Sequence, residues 1–65
     1  MFIKFNGDLF NLDHIKYLSL HKNCIHLYSN EHIAIEFKNE ENANNAFDKI
    51  LVGLSKKDKI VVLDE

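Results

Sequence analysis

Sixty-five residues allow one domain at most, spanning 1–65, and a domain of this length buries only roughly 60% of the surface its unfolded chain exposes. The net charge is −2, with lysines interspersed among acids and no arginine; there is neither a basic stripe for a phosphate backbone nor the acidity of a nucleic-acid mimic. The single cysteine excludes an internal disulfide and fits a reducing compartment, and with no basic-then-apolar leader at MFIKFNGDLF and no apolar run near the ~20 residues of a membrane span, cytoplasmic residence without membrane contact is expected.

Phe2-Ile3-Lys4-Phe5 reads as a first strand, and Asn6-Gly7 as a tight hairpin turn, because both residue types tolerate positive φ. Leu9 to Leu12 returns as a short second strand, and Asp13-His14 is a polar break; turn roles explain Asp8 and Asp13 better than acid–base chemistry does. Three more strands follow, Tyr17–His21, Cys24–Tyr28 and His32–Phe37, joined by Lys22-Asn23 and by Ser29-Asn30-Glu31. A two-residue first loop sets His21 opposite Cys24, Leu20 opposite Ile25, Ser19 opposite His26 and Leu18 opposite Leu27. A three-residue second loop sets Tyr28 opposite His32, Leu27 opposite Ile33 and Cys24 opposite Glu36. Both registers bring Leu18, Leu20, Ile25, Leu27, Ile33, Ile35 and Phe37 to one face, and a slip of one residue would turn that set to water.

After Lys38 the apolar period lengthens from two to three and four residues. Asn39 is placed to cap a helix N-terminus, its side-chain oxygen accepting from a free first-turn amide, and Glu40 and Glu41 put negative charge at the positive end of the helix dipole. Ala43, Ala46, Phe47, Ile50, Leu51 and Leu54 form one apolar stripe, with Phe47, Ile50 and Leu51 supplying most of the buried area and Gly53 marking the helix end. Ser55 to Asp58 is a turn, and Lys56, Lys57 and Lys59 a solvated charge run. Ile60-Val61-Val62-Leu63 is a last strand, apolar on both sides, and so asks for cover on both. The expected fold class is α+β: an antiparallel sheet of four to five strands with one α-helix packed on one face, in the order ββββαβ, the helix covering the apolar set of the sheet.

The opposite face of that sheet carries Tyr17, Ser19, His21, Cys24, His26, Tyr28, His32, Ala34 and Glu36 in place of the lysines and glutamates of an ordinary wet surface. His21, Cys24, His26, His32 and Glu36 include zinc-ligand types, but side chains on a sheet face point nearly parallel whereas a tetrahedral site needs them to converge, and the spacing matches no zinc-finger pattern. A nucleophilic cysteine with a histidine base lacks an orienting third group and a glycine-rich oxyanion hole. No catalytic residue, metal or cofactor is therefore expected. Aromatic residues on an open sheet could stack single-stranded bases, although the flanking lysines are sparse. A protein interface accounts best for a face rich in tyrosine and poor in permanent charge, against the alternative of a solvated face whose polar residues are simply His and Ser. The contact residues expected are Tyr17, His21, Cys24, His26, Tyr28, His32 and Glu36.

Two segments, KFNGDLFNLDHIKYLSL and IEFKNEENANNAFDKIL, combine a strand, an NG turn, a strand, N-L-D-x-I, further strands and a helix that opens on acids and carries A-x-x-A-F-x-x-I. In this scheme the chain resembles the small α+β accessory proteins of the anti-CRISPR type encoded by phages and mobile elements. The resemblance implies a non-enzymatic inhibitor that docks on a host effector protein, such as a CRISPR nuclease complex, and blocks it sterically. The alternative is a small nucleic-acid-binding or regulatory module using the open sheet face. Self-association into a homodimer, through the same face or through Ile60 to Leu63, is expected to accompany either.

Overall fold

The computed structural model describes residues 1–65. Six strands and one helix follow in the order β1 (Phe2–Phe5), β2 (Asp8–Asn11), β3 (Tyr17–His21), β4 (Cys24–Tyr28), β5 (His32–Glu36), α1 (Glu40–Lys56) and β6 (Ile60–Leu63). The class is α+β, but the order is βββββαβ and not the expected ββββαβ, and the strands do not form one sheet of four or five. They divide into two three-stranded sheets, β2-β1-β6 and β3-β4-β5. The second is antiparallel throughout; in the first, β1 pairs antiparallel with β2 and parallel with β6.

The division has a physical cause in the helix. Its buried residues are Ala43, Ala46, Ile50 and Gly53, mostly small, so α1 can approach closely but brings little side-chain volume. The apolar set of β3, β4 and β5 therefore needs a second cover, and the β2-β1-β6 sheet provides it with Ile3, Phe5, Val61 and Leu63. One cluster of eleven buried residues results, contributed by both sheets, the helix and Phe37. Phe5 and Phe37 meet at 4.9 Å between ring centroids, joining the two sheets. The expected stripe is shifted accordingly. Phe47 is only partly buried, and Leu51 and Leu54 are 45% and 47% exposed, because the burial follows 43, 46, 50 and 53 instead. No helix is long and apolar enough to cross a membrane.

Local chemistry sets the helix ends. Asn39 has extended φ and ψ and its Oδ1 accepts from Asn42 N at 2.8 Å, with Glu40 and Glu41 in the first turn. Gly53 does not end the helix. It lies inside α1 where Val61 of β6 approaches the backbone. The C-cap is Lys57, in the left-handed region at φ 59°, with Lys57 N donating to Leu54 O and Asp58 N to Gly53 O. A lysine there pays the Cβ penalty that glycine avoids. Lys57→Gly is expected to raise stability by about 1 kcal/mol in urea unfolding.

At the first hairpin only Asn6 has positive φ and Gly7 does not, so the turn is not the type I′ turn, which needs positive φ at both central residues. Leu12 N donates to Met1 O at 2.8 Å, prolonging the β1–β2 pairing. The Met1 ammonium donates to Asp13 Oδ1 at 2.6 Å. That bond first, and the ammonium's charge second, holds the exposed Asp13 carboxyl below its ordinary range. The contact's contribution is present above the ordinary carboxylate range and is lost as pH falls through the lowered value.

Candidate interaction face

Two tight connections place the outer face of the β3-β4-β5 sheet. Lys22, at φ 55°, and Asn23 turn β3 into β4. Ser29 to Glu31 turn β4 into β5, with Ser29 N donating to Glu31 O at 3.0 Å. Asn23 then locks the far strand: Phe37 N donates to Asn23 O at 2.8 Å, and Asn23 Nδ2 to Phe37 O at 2.7 Å. Every pair expected from loop length is present, from Tyr17 opposite Tyr28 to His21 opposite Cys24, and from Tyr28 opposite His32 to Cys24 opposite Glu36. With Ile25 and Leu27 buried, their neighbours Cys24, His26 and Tyr28 must point outward.

The outward rings do not stand apart. Tyr28 and His32, directly opposed, stack at 4.4 Å with planes 6° apart. Tyr17 leans on Tyr28 at 5.3 Å and 44°. His26 Nδ1 lies 2.8 Å from His32 Nε2. The centroids of those two imidazoles are 5.0 Å apart and their planes 26° apart. The centroid separation exceeds the nitrogen separation by about two ring radii, so the rings meet edge to edge. An N–H on one ring can then donate to the lone pair of the other, and which ring donates depends on the tautomers. Four side chains, Tyr17, His26, Tyr28 and His32, thus form one fixed cluster.

The remaining expected contact residues lie apart from it. His21, Cys24 and Glu36 form their own row at the far end of the strands. Cys24 is half-buried, and its hydrogen-bond contact is Asn23 Oδ1 at 3.9 Å. Nowhere do three His, Cys, Asp or Glu side chains converge as a metal site requires. The two imidazole nitrogens nearest each other are aimed at one another, not at a common point between them. Chemically the cluster offers phenol and imidazole edges for hydrogen bonding, hydrocarbon ring surface for burial, and no fixed charge.

A second exposed surface was hidden by the assumption of one sheet. On the outer side of β2-β1-β6, Phe2 lies between Asn11 and Ile60, and Lys4 between Leu9 and Val62. Phe2, Leu9, Ile60 and Val62 are all exposed. The alternation in FIKF and the two-sided apolarity of IVVL are the sequence signals for it. No protein-family model, curated protein or solved structure matches the chain.

Proposed function

We propose that this chain is a non-enzymatic binding protein that docks another protein on the outer face of β3-β4-β5. The observation that carries the reading is the ring cluster of Tyr17, His26, Tyr28 and His32, already assembled in the free chain. Binding normally costs about 0.5–1.5 kcal/mol for each flexible side chain it immobilises. Here stacking and the imidazole–imidazole contact already hold the rings against one another, which lowers that cost. Uncharged rings are also cheap to desolvate relative to lysine or glutamate, and tyrosine is enriched among residues that dominate interface energies.

Tyr28 and His32 cover part of each other's faces, and Tyr17 leans on Tyr28. The faces that Tyr28 and His32 turn to each other are closed to a stacking base, which leaves the exposed Tyr17 ring as the main open platform and supports a protein partner over a run of stacked bases. The resemblance to anti-CRISPR-type proteins supplies the class of partner: a host effector in the cytoplasm, such as a CRISPR nuclease complex, inhibited by occupation of a working surface. Tyr17, His21, Cys24, His26, Tyr28, His32 and Glu36 are the contact residues, with the four clustered rings as the anchor and the His21–Cys24–Glu36 row as its rim.

The test is binding to purified effector complexes by calorimetry, with inhibition read in the same complexes. Tyr28→Ala and His32→Ala are each expected to weaken binding roughly 30-fold or more, the loss typical of interface hot spots, while circular dichroism stays that of the parent. Binding that survives both replacements would place the interface elsewhere, and retention on single-stranded oligonucleotides that falls steeply with salt would favour the nucleic-acid module.

A further inference from the structure

The geometry points to β6 as a self-pairing edge: we propose that two copies of this chain join β6 to β6 antiparallel about Val62, fusing their two β2-β1-β6 sheets into one. β6 has β1 on one side only. Phe2 N donates to Lys59 O, and Phe2 lies opposite Ile60. In a parallel ladder alternate residues turn both backbone groups to the same neighbour. Lys59, Val61 and Leu63 therefore face β1, and Ile60 and Val62 present their N–H and C=O groups at the free edge of β6.

Nothing in β6 protects that edge. Natural edge strands carry lysine, proline or a bulge against pairing, whereas Ile60 to Leu63 is an unbroken apolar run and the chain has no proline. The edge opens into a groove of about 450 Å³ between β6 and α1, where Val52, Ile60 and Val62 are exposed beside the charged side chains of Asp48, Lys49 and Asp58. The flanking charges then select the occupant and the register. Lys59 precedes the strand and Asp64-Glu65 follow it, so a parallel copy sets like charges side by side and an antiparallel copy sets opposite ones together.

Centring the pair on Val62 places Val62 opposite its own copy, Ile60 opposite Asp64 and Lys59 opposite Glu65. The Val62 pair is edge-facing on both sides and able to exchange both N–H···O bonds, and Ile60 does the same with Asp64 once pairing extends the strand past Leu63. Val61 falls opposite Leu63, continuing the inner apolar row. Centring on Val61 instead sets Asp58 against Asp64. A register between these two sets inner Val61 against outer Val62, turning one copy's buried face to the other's solvent side. Glu65 Oε2 accepts from Lys38 N and from Asn42 Nδ2 at 3.1 Å, which holds the carboxylate near the end of β6. The ring cluster lies on the other sheet and stays open, so each dimer presents two of them.

Symmetry makes the test register-specific. In a Cys24→Ser background, Val62→Cys places two thiols across a hydrogen-bonded pair at a Cα separation of about 5.5 Å, inside the range a disulfide spans. Ile60→Cys faces Asp64 of the other copy and has no thiol near it. Mild oxidation is expected to link Val62→Cys into a dimer and leave Ile60→Cys monomeric. Sedimentation of the parent is expected to show a concentration-dependent monomer–dimer equilibrium. Val62→Pro, which removes an edge donor outside the β1 ladder, is expected to weaken it by about tenfold or more, with unchanged circular dichroism. Lys59→Glu is expected to weaken it too. A monomer at all concentrations, equal cross-linking of the two cysteine variants, or a dimer indifferent to Val62→Pro overturns the proposal.

Discussion

Leu27→Ala and Tyr28→Ala are expected to part company completely, although the residues are neighbours in the chain. Leu27 is 1% exposed, in the middle of the central strand of its sheet, and it belongs to the core cluster shared by both sheets and α1. Truncating a buried leucine costs about 2–5 kcal/mol, the transfer of the lost atoms plus the cavity left behind. A chain of this length has roughly 3–10 kcal/mol of stability in total, so Leu27→Ala removes much or all of it. The melting temperature should fall by about 10 °C or more. Tyr28 points the other way. Its removal loses stacking on His32 and Tyr17, worth about 0.5–1.5 kcal/mol for such a ring pair. Tyr28→Ala is therefore expected to remain folded and to lose partner binding. Thermal and urea unfolding of the two variants side by side decides the matter. Equal destabilisation would mean that the ring face is interior, and the proposed interface would go with it.

The same sidedness separates what was legible in the sequence from what was not. Strict alternation and short loops determine a register locally, and the pairings of β3, β4 and β5 follow from Lys22-Asn23 and Ser29-Asn30-Glu31 alone. Likewise Asn39 with Glu40 and Glu41 marks a helix start through chemistry confined to one turn. The partner of β6 is different. Its pairing with β1 joins the two ends of the chain, and no local signal states which strand a distant apolar run will meet. Without that pairing one sheet satisfies the sequence pattern, and the apolarity of Ile60 and Val62 on the exposed side has no edge to belong to. The ring cluster was half legible. Period two puts Tyr17, His26, Tyr28 and His32 on one face, but whether imidazoles stack, bond or splay depends on side-chain torsions that spacing does not fix. Leu51 and Leu54 depart for a related reason: a stripe at 43, 46, 47, 50, 51 and 54 and one at 43, 46, 50 and 53 are both helical, and the approach of β6 chooses the second.

That approach is testable at a single atom. Gly53→Ala is expected to destabilise the fold by about 1–3 kcal/mol, the cost of overpacking a filled core. On an open helix surface the same change would stabilise by about 1 kcal/mol, because alanine loses less backbone freedom on folding. The sign reverses here because a Cβ on Gly53 would lie well inside van der Waals contact of Val61 Cγ2, with Met1 Sδ at 3.5 Å and Asp58 Oδ2 at 3.7 Å closing the sides. Val61 is buried and β-branched, so its methyl cannot swing away without leaving its rotamer. The strain must instead move β6 off the helix, and with it the fully buried Leu63. In a Val61→Ala background the obstructing methyl is gone, and Gly53→Ala should become harmless or stabilising. A double-mutant cycle measured by urea unfolding isolates that coupling. Gly53→Ala that stabilises the parent chain would mean that α1 and β6 stand further apart than this fold requires. The glycine would then be serving the helix end and not the strand beneath it.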